Sequence, residues 1–571
     1  MRGQRRGVRL FSLLFCLVLL AAACSSDKKS TAASSSSAAQ KKGGTLILGA
    51  EQWPECLNPI TACSNSSWMH WGVDEHVLPR AMEFDEQGNF RPSPVLDGQP
   101  TLDGKGSGKN ESSPFSVTFN ISKDAVWDDG SPITADDFEF SWKAKLDTPG
   151  AISKVGYKDI TTIEKSNNGK TVKAIFSNTF ADWADLWGGN SDYILKKAAF
   201  ASTDTSQDML HDIKFSGGPF ILQTFDTTQG VFVPNPKYWA KDRIPLVDKM
   251  IVKVLPDTDT ELNSFKAAEV FSIFPQPSPG IKDKLADPNL TLTFGASVSY
   301  EGIWLNQASQ KNKDTVLKDK NVREALFFAI DRQAILDQVI HNISPDVEIL
   351  NCAGWVPTVG KWCNQDDFKD VKADPAKVKS LLEGDGWAKG SDGIYAKAGK
   401  RLSFTWQTVA GNKRRESIQD LIIPKLKDQG IEAVKDNSDF DTLFQTRLPT
   451  MDTEMALYIQ NASPDPSVTS ILACENIPTP ENGFAGQNQI GWCNQDATKA
   501  MHDSDAIADD AKRLPLINQI GAAERKDAAW LPLYQFPTLT AFNTTKIGGP
   551  VGTFTNSPHG GFENVYAWFV K

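Results

Sequence analysis

Histidine is scarce in this chain, with six residues in 571. They are scattered, and none stands near a serine or cysteine in a catalytic pattern. The zinc-protease signature H-E-x-x-H and the nucleophile elbow G-x-S-x-G are both missing. No C-x-x-C pair and no Cys/His cluster of ligand spacing occurs, which removes the usual zinc sites. "GKGSGKN" at 104–110 is one residue short of a phosphate loop and ends in Asn110, where a Ser/Thr would hold magnesium. "PDTDTE" at 256–261 lacks the glycine a calcium loop needs for its sharp turn. Nothing therefore argues for an enzyme, a metal or a cofactor. Long apolar runs are missing too: the longest, Leu10 to Leu20, falls short of the ~20 residues that span a bilayer.

What surrounds that run is informative. Arg2, Arg5, Arg6 and Arg9 precede it and Ala21 to Ala23 follow, the order of an export signal. Cys24 comes directly after the small residues, which resembles the lipobox of bacterial lipoproteins. The resemblance implies that residues 1–23 are cleaved and that Cys24 becomes the acylated N-terminus. Residues 24–43 are mostly Ser, Ala, Lys and Gln, a composition that cannot bury apolar surface and reads as a flexible linker. The expected location is the extracytoplasmic face of the cell membrane, through a lipid anchor.

Removing the four leader arginines from 60 basic residues leaves 56 against 70 acidic, a net charge of −14. That balance gives no support to nucleic-acid binding. The length exceeds a single small core, so two or three domains are expected. Sixteen tryptophans, several in loops, suggest aromatic-lined recognition surface. Beyond Cys16 and Cys24, six cysteines remain in an exported body, and an even count there reads as disulfides. They fall into three close pairs, so local closure is the economical arrangement: Cys56 with Cys63, Cys352 with Cys363, Cys474 with Cys493. Each bridge is worth roughly 3 kcal/mol in the chain-entropy model.

Strand and helix patterns alternate along the body. Thr45 to Gly49 is a short apolar strand. "FSVTF" at 115–119 alternates as a strand, and a turn at Asp129-Gly130 leads into a helix opened by Thr134 and Asp137, an acidic capping box. Two strands flank a turn within 216–239, and a strand leads into a helix within 247–270. A strand at 300–309 precedes one amphipathic helix over 319–340, with Val322, Leu326 and Ile330 four apart. "RLSFTWQTV", a helix from Arg414 to about Gln429, Gly430 and "GIEAVKD" form a β-α-β unit, with Pro424 expected to kink the helix.

This order resembles the extracellular solute-binding proteins of the peptide/nickel class of ABC importers, the family of oligopeptide- and dipeptide-binding proteins. "WDDGSPITADDFEFSW", "SGGPFILQTFDTTQGVFVPNPKYW" and "LKDKNVREALFFAIDRQAIL" carry most of the likeness, and "GIEAVKD" and "WLPLYQF" fall in comparable places. The resemblance implies an α/β, two-lobed clamshell with mixed sheets and an extra small domain. The first lobe is expected at 44–82, 216–300 and 528–571, the inserted small domain at 83–215 and the second lobe at 301–527. The implied activity is that of a monomeric receptor that closes on a peptide or peptide-like small molecule and delivers it to an ABC permease. The same fold serving as a non-transport regulator is the alternative.

Ligand contacts in such a clamshell come from loops at strand ends. The candidates are Glu51, Gln52 and Trp53, then Tyr300, Glu301, Trp304 and Asn306 at a hinge crossing, and Trp406, Gln407, Asn461, Ser463 and Asp465 from the second lobe. Peptide binders of the family place an aspartate, which pairs with the ligand's ammonium, four residues before a proline. Here "IQNASPDP" puts Ala462 at that position. Without a substitute acid a free amine has no counter-ion, and a blocked or neutral ligand is expected to bind better. No histidine falls in these loops, which argues against nickel chelates.

Overall fold

The computed structural model describes residues 42–189, 192–461 and 464–571. The leader, the linker and Cys24 lie outside them. The first strand, β1 (Thr45–Ala50), is followed by a polar-aromatic loop. A separate four-stranded antiparallel sheet, built from Thr101–Asp103, Ser116–Asn120, Ile160–Ser166 and Thr171–Phe176, packs with helix α1 (Ala135–Asp147). The expected capping box is present: the Asp137 carboxylate accepts from the Thr134 N–H at 2.9 Å and from its Oγ1 at 3.3 Å.

The chain then lays down β2 (Phe220–Phe225), β3 (Gln229–Pro234), β4 (Lys249–Val254), α2 (Thr258–Lys266) and β5 (Ser272–Ile273). The would-be calcium loop is the start of α2, where Asp257 Oδ1 accepts from the Thr260 N–H at 2.7 Å. The would-be phosphate loop is a surface turn whose Gly106 and Gly108 amides both donate to the Glu111 carboxylate at 2.7 Å.

Next comes the 16-residue strand β6 (Leu290–Leu305), much longer than the sequence pattern indicated. The expected single helix over 319–340 is broken into α3 (Lys320–Ala329) and α4 (Arg332–Ile335), with a π turn after it. Ile330 leaves helical geometry at φ −86°, ψ 111°, and Asp331 caps the new helix through the Ala334 N–H at 2.9 Å. The break drives Arg332 inward, where it donates to the carbonyls of Leu350, Phe368, Val371 and Pro532. Three apolar residues spaced by four, Val322, Leu326 and Ile330, could not reveal a buried arginine that needs those acceptors.

β7 (Ser403–Gln407), α5 (Lys413–Asp428) and β8 (Glu432–Lys435) form the expected β-α-β unit, with β7 and β8 parallel. Helix α5 continues through Pro424, and Gly430 follows its end at φ +87°, a conformation glycine adopts without strain. β9 (Met455–Gln460) and β10 (Trp530–Asn543) complete the main elements.

Among the described residues, one ten-stranded sheet runs β8-β7-β9-β6-β10-β5-β1-β4-β3-β2. Its middle is the antiparallel pair β6 and β10, whose register shifts between Ala296 and Tyr300 and again between Glu301 and Gly302. Around this sheet the buried apolar residues separate. One large cluster draws on residues from Val298 to Tyr534. Another draws on Leu46 to Phe274 together with Ile547 to Trp568, and includes the four-stranded sheet. Each of the three disulfides, Cys56–Cys63, Cys352–Cys363 and Cys474–Cys493, closes a local loop, as the spacing predicts. Among the described residues no helix is long and apolar enough to cross a membrane.

Candidate ligand-binding cleft

Between the two large cores lies a cavity of about 390 Å3, at the lower end of the ~300–1,000 Å3 usual for small-molecule sites. One wall comes from the loop after β1, the segment Ser66–Trp71 and residues between Lys145 and Asp192. The other comes from Gly354 and Trp355, Phe440 and Phe444, and residues between Tyr458 and Gln489. The crossing strands contribute Ser299 and Tyr300 of β6, and Phe536 and Thr538 of β10.

The walls touch. Asn461 Nδ2 donates to Ser67 Oγ at 3.1 Å, the Ala181 N–H to the Asp505 carbonyl at 2.7 Å, and Asn412 Nδ2 to Gln276 Oε1 at 3.3 Å. This is a closed form of the cleft.

Four of the sequence candidates line the cavity: Gln52, Tyr300, Asn461 and Asp465. Ser463 lies outside the described residues, as does Ala462. The other seven are held elsewhere, each for a visible reason. Trp53 stacks on Phe225 at 5.5 Å and donates its indole N–H to the Asp226 carbonyl at 3.0 Å. Glu51 turns away from the cavity and accepts from Gln276. Burial pushes its carboxyl up to about 7 against the pull of that hydrogen bond and of Arg415 and Arg414. Trp304 lies between Trp530 at 4.6 Å and Tyr458 at 5.1 Å, with nearly parallel rings. Asn306 spends its amide on the carbonyls of Met451 and Thr453. Trp406 is fully buried, and Gln407 bonds Thr405 Oγ1 at 2.8 Å and Asp436 Oδ2 at 3.1 Å.

Glu301 acts one step behind the wall. Its carboxylate takes Arg414 Nη2 at 2.7 Å and Arg415 Nε at 2.8 Å, and it is fully buried. Arg415 is the partner that reaches the cavity.

Other wall residues went unmarked in the sequence: His70, Trp71, Asp182, Asp185, Trp355 and Arg415. His70 Nδ1 is 3.4 Å from Asp74 Oδ2, and burial pushes the Asp74 carboxyl up to about 6. Trp355 follows Cys352 closely and donates to the Pro466 carbonyl at 3.0 Å, so the disulfide loop and the 460s support each other. The clearest missed signal was "FADWADLW" at 180–187, where acids alternate with aromatics in a loop.

Asp465 receives both terminal nitrogens of Arg513, at 2.7 and 2.8 Å. Among the described residues one group of potential metal ligands, Glu75, His559 and Glu563, converges within 4.8 Å, on the side of the core that includes the four-stranded sheet. Arg80 Nη1 stands 2.6 Å from His559 Nδ1 and already brings a positive charge to that cluster.

Comparison with known proteins agrees with this architecture. The oligopeptide-binding protein AppA of Bacillus subtilis is 24% identical over 498 residues, covering 86% of each chain. The solved structure of that AppA, in complex with a nonapeptide, superposes with a TM-score of 0.79 at 21% identity, covering 93% of this chain and 100% of the other. NikZ from Campylobacter jejuni, in complex with Ni(L-His), gives 0.77 at 20% identity, covering 92% and 99%. Residues 107–476 match the family described as "Bacterial extracellular solute-binding proteins, family 5 Middle". With a match over well over half its length, and with a closed cleft between two cores joined by long strands, the chain belongs to the family 5 extracellular solute-binding proteins.

Proposed function

We propose that the protein is a lipid-anchored, extracytoplasmic receptor that captures a short peptide or peptide-like solute and presents it to an ABC importer. The observation that carries this reading is the cavity between the two cores, with walls from both. Its volume of about 390 Å3 favours a short ligand. The names of the relatives, oligopeptide- and dipeptide-binding proteins, favour a peptide. The lobes are 44–82, 216–300 and 528–571 against 301–527, with 83–215 as the inserted small domain. Lobe closure, not chemistry on the ligand, is the working step, and a monomer suffices for it. Acylation of Cys24, with the 24–43 linker, keeps the receptor near its permease and raises its effective concentration there.

Native mass spectrometry of the protein, extracted from membranes without denaturation, tests this directly. We expect a bound mass that fragments as a peptide. A protein that carries no ligand, and whose melting temperature does not respond to pooled di- to pentapeptides, would refute the peptide reading. For the anchor, Cys24→Ser is expected to move the protein from the membrane to the soluble fraction.

A further inference from the structure

The charged side chains on the cleft wall have partners within the protein. Lys145 Nζ donates to Asp192 Oδ1 at 2.6 Å, Arg415 Nε to Glu301, and Arg513 to Asp465. Asp182 and Asp185 share a hydrogen bond. Two uncharged side chains stand apart. Gln487 and Gln489 both line the cavity, and among the described residues neither side-chain amide has a hydrogen-bond partner. On the facing wall, Ser66 also lines the cavity, with its Oγ closed off from solvent and likewise unpartnered among the described residues.

The segment that carries the two glutamines is pinned from behind. It lies inside the loop closed by Cys474–Cys493. Asn488, between them, is fully buried and gives its Nδ2 to the carbonyls of Leu472, Ala473 and Trp492 at 3.0, 3.1 and 2.8 Å. Its N–H donates to the Asn476 carbonyl at 2.8 Å, and the Gln307 N–H donates to the Ile490 carbonyl at 2.7 Å. Gly486, at φ +111°, allows the close approach, because a side chain there would collide with the Asn476 carbonyl. The loop spends its own hydrogen bonds on Asn488 and the backbone and leaves both carboxamides to the cavity.

We propose that Gln487 and Gln489 read the main-chain amides of the ligand, and that Ser66 adds a hydrogen bond from the facing wall. A side-chain carboxamide offers both donors and an acceptor, the complement of the C=O and N–H of a peptide unit. The inference rests on the peptide reading above and assigns its selectivity to uncharged groups. A buried hydroxyl left without a partner costs free energy. Closure on a chain that brings an amide to Ser66 is therefore favoured over closure on one that brings none.

The test is calorimetry with peptides and their ester analogues. Di- to pentapeptides that bind are remade with one peptide N–H at a time replaced by oxygen, which keeps the shape and removes the donor. On the unaltered protein, replacement at one or more positions is expected to weaken binding roughly three- to tenfold. Gln487→Met and Gln489→Met should each weaken the amide form by a similar factor and bring the amide-to-ester ratio near unity at the position that glutamine reads. Ser66→Ala should narrow the ratio as well. Thermal melts establish that the variants fold, and the single changes decide the matter if the double Gln487→Met/Gln489→Met does not. A merely structural role for the loop would weaken amide and ester forms alike and leave the ratio unchanged. That result, or variants that bind as the unaltered protein does, overturns the inference and leaves the peptide reading intact. If no peptide of the series binds, the peptide reading fails and the inference falls with it.

Discussion

Glu301, with Arg414 and Arg415, shows how a polar residue at a strand crossing can be used up by its neighbours. The carboxylate is fully buried and ties β6 to the start of α5. Glu301→Ala leaves two buried guanidinium groups uncompensated and should cost about 3–5 kcal/mol, read from urea denaturation. It should also weaken ligand binding, because Arg415 loses the anchor that holds it at the cavity. The same alternation explains what the sequence revealed of the site. Of the segments singled out, the loop after β1, the crossing at Tyr300 and the stretch near 461 each bring a residue to the cavity. Within an extended segment, however, successive side chains face opposite ways. Gln52 faces in while Glu51 and Trp53 face out, and one sequence carries no sign of which parity the closed cleft selects. Asp182 and Asp185 were further from view, since a turn of three residues has no periodicity to read.

At the scale of elements, the break between α3 and α4 is set by Asp331. Its side chain takes the Ala334 N–H where the helix restarts. Asp331→Ala should therefore cost about 1 kcal/mol, measured by denaturation, with the Arg332 pocket as the site of the disturbance. Local chemistry made other elements easy to place. Thr134 and Asp137 mark the start of α1, and Gly430 marks the end of α5. The helix break was not legible, because the apolar spacing of Val322, Leu326 and Ile330 continues across it. The carbonyl acceptors that receive Arg332 beyond the break come from residues 350 to 532, and no local window contains them. The full length of β6 was hidden in the same way, since its first half pairs with β10 across more than 200 residues.

For the whole molecule, buried carboxyls set the pH response. Burial pushes Glu524 up to about 8, Glu51 and Glu563 to about 7, and Asp74 and Asp505 to about 6. The folded protein therefore holds protons that the unfolded chain releases above about pH 4–4.5. Stability falls as pH rises from there through 6 to 8. His76 works the other way, since burial pushes it down to about 3 and its contribution is lost as pH falls below 6.5. Asp385 and Asp436 sit near 2, where hydrogen bonds to Lys397 and to Arg447 outweigh burial, so their contribution disappears only in strong acid. The carboxyls raised by burial, Asp367 among them, outnumber the one depressed histidine, which places the melting maximum at about pH 4–4.5. Glu524→Gln should flatten the decline between pH 5 and 8, seen by differential scanning calorimetry across that range; an unchanged slope would show that Glu524 does not titrate there.

The stacked indoles of Trp304 and Trp530 belong to the two strands that cross between the cores. Gly302 leaves room for this, because a side chain there would meet the Trp530 ring at 2.8 Å. Two chromophores held nearly parallel at 4.6 Å interact strongly as transition dipoles. The strength and sign of that optical coupling depend on the twist between β6 and β10. The molecule thus carries its own spectroscopic gauge of the β6–β10 pairing, readable as near-ultraviolet circular dichroism without any added label.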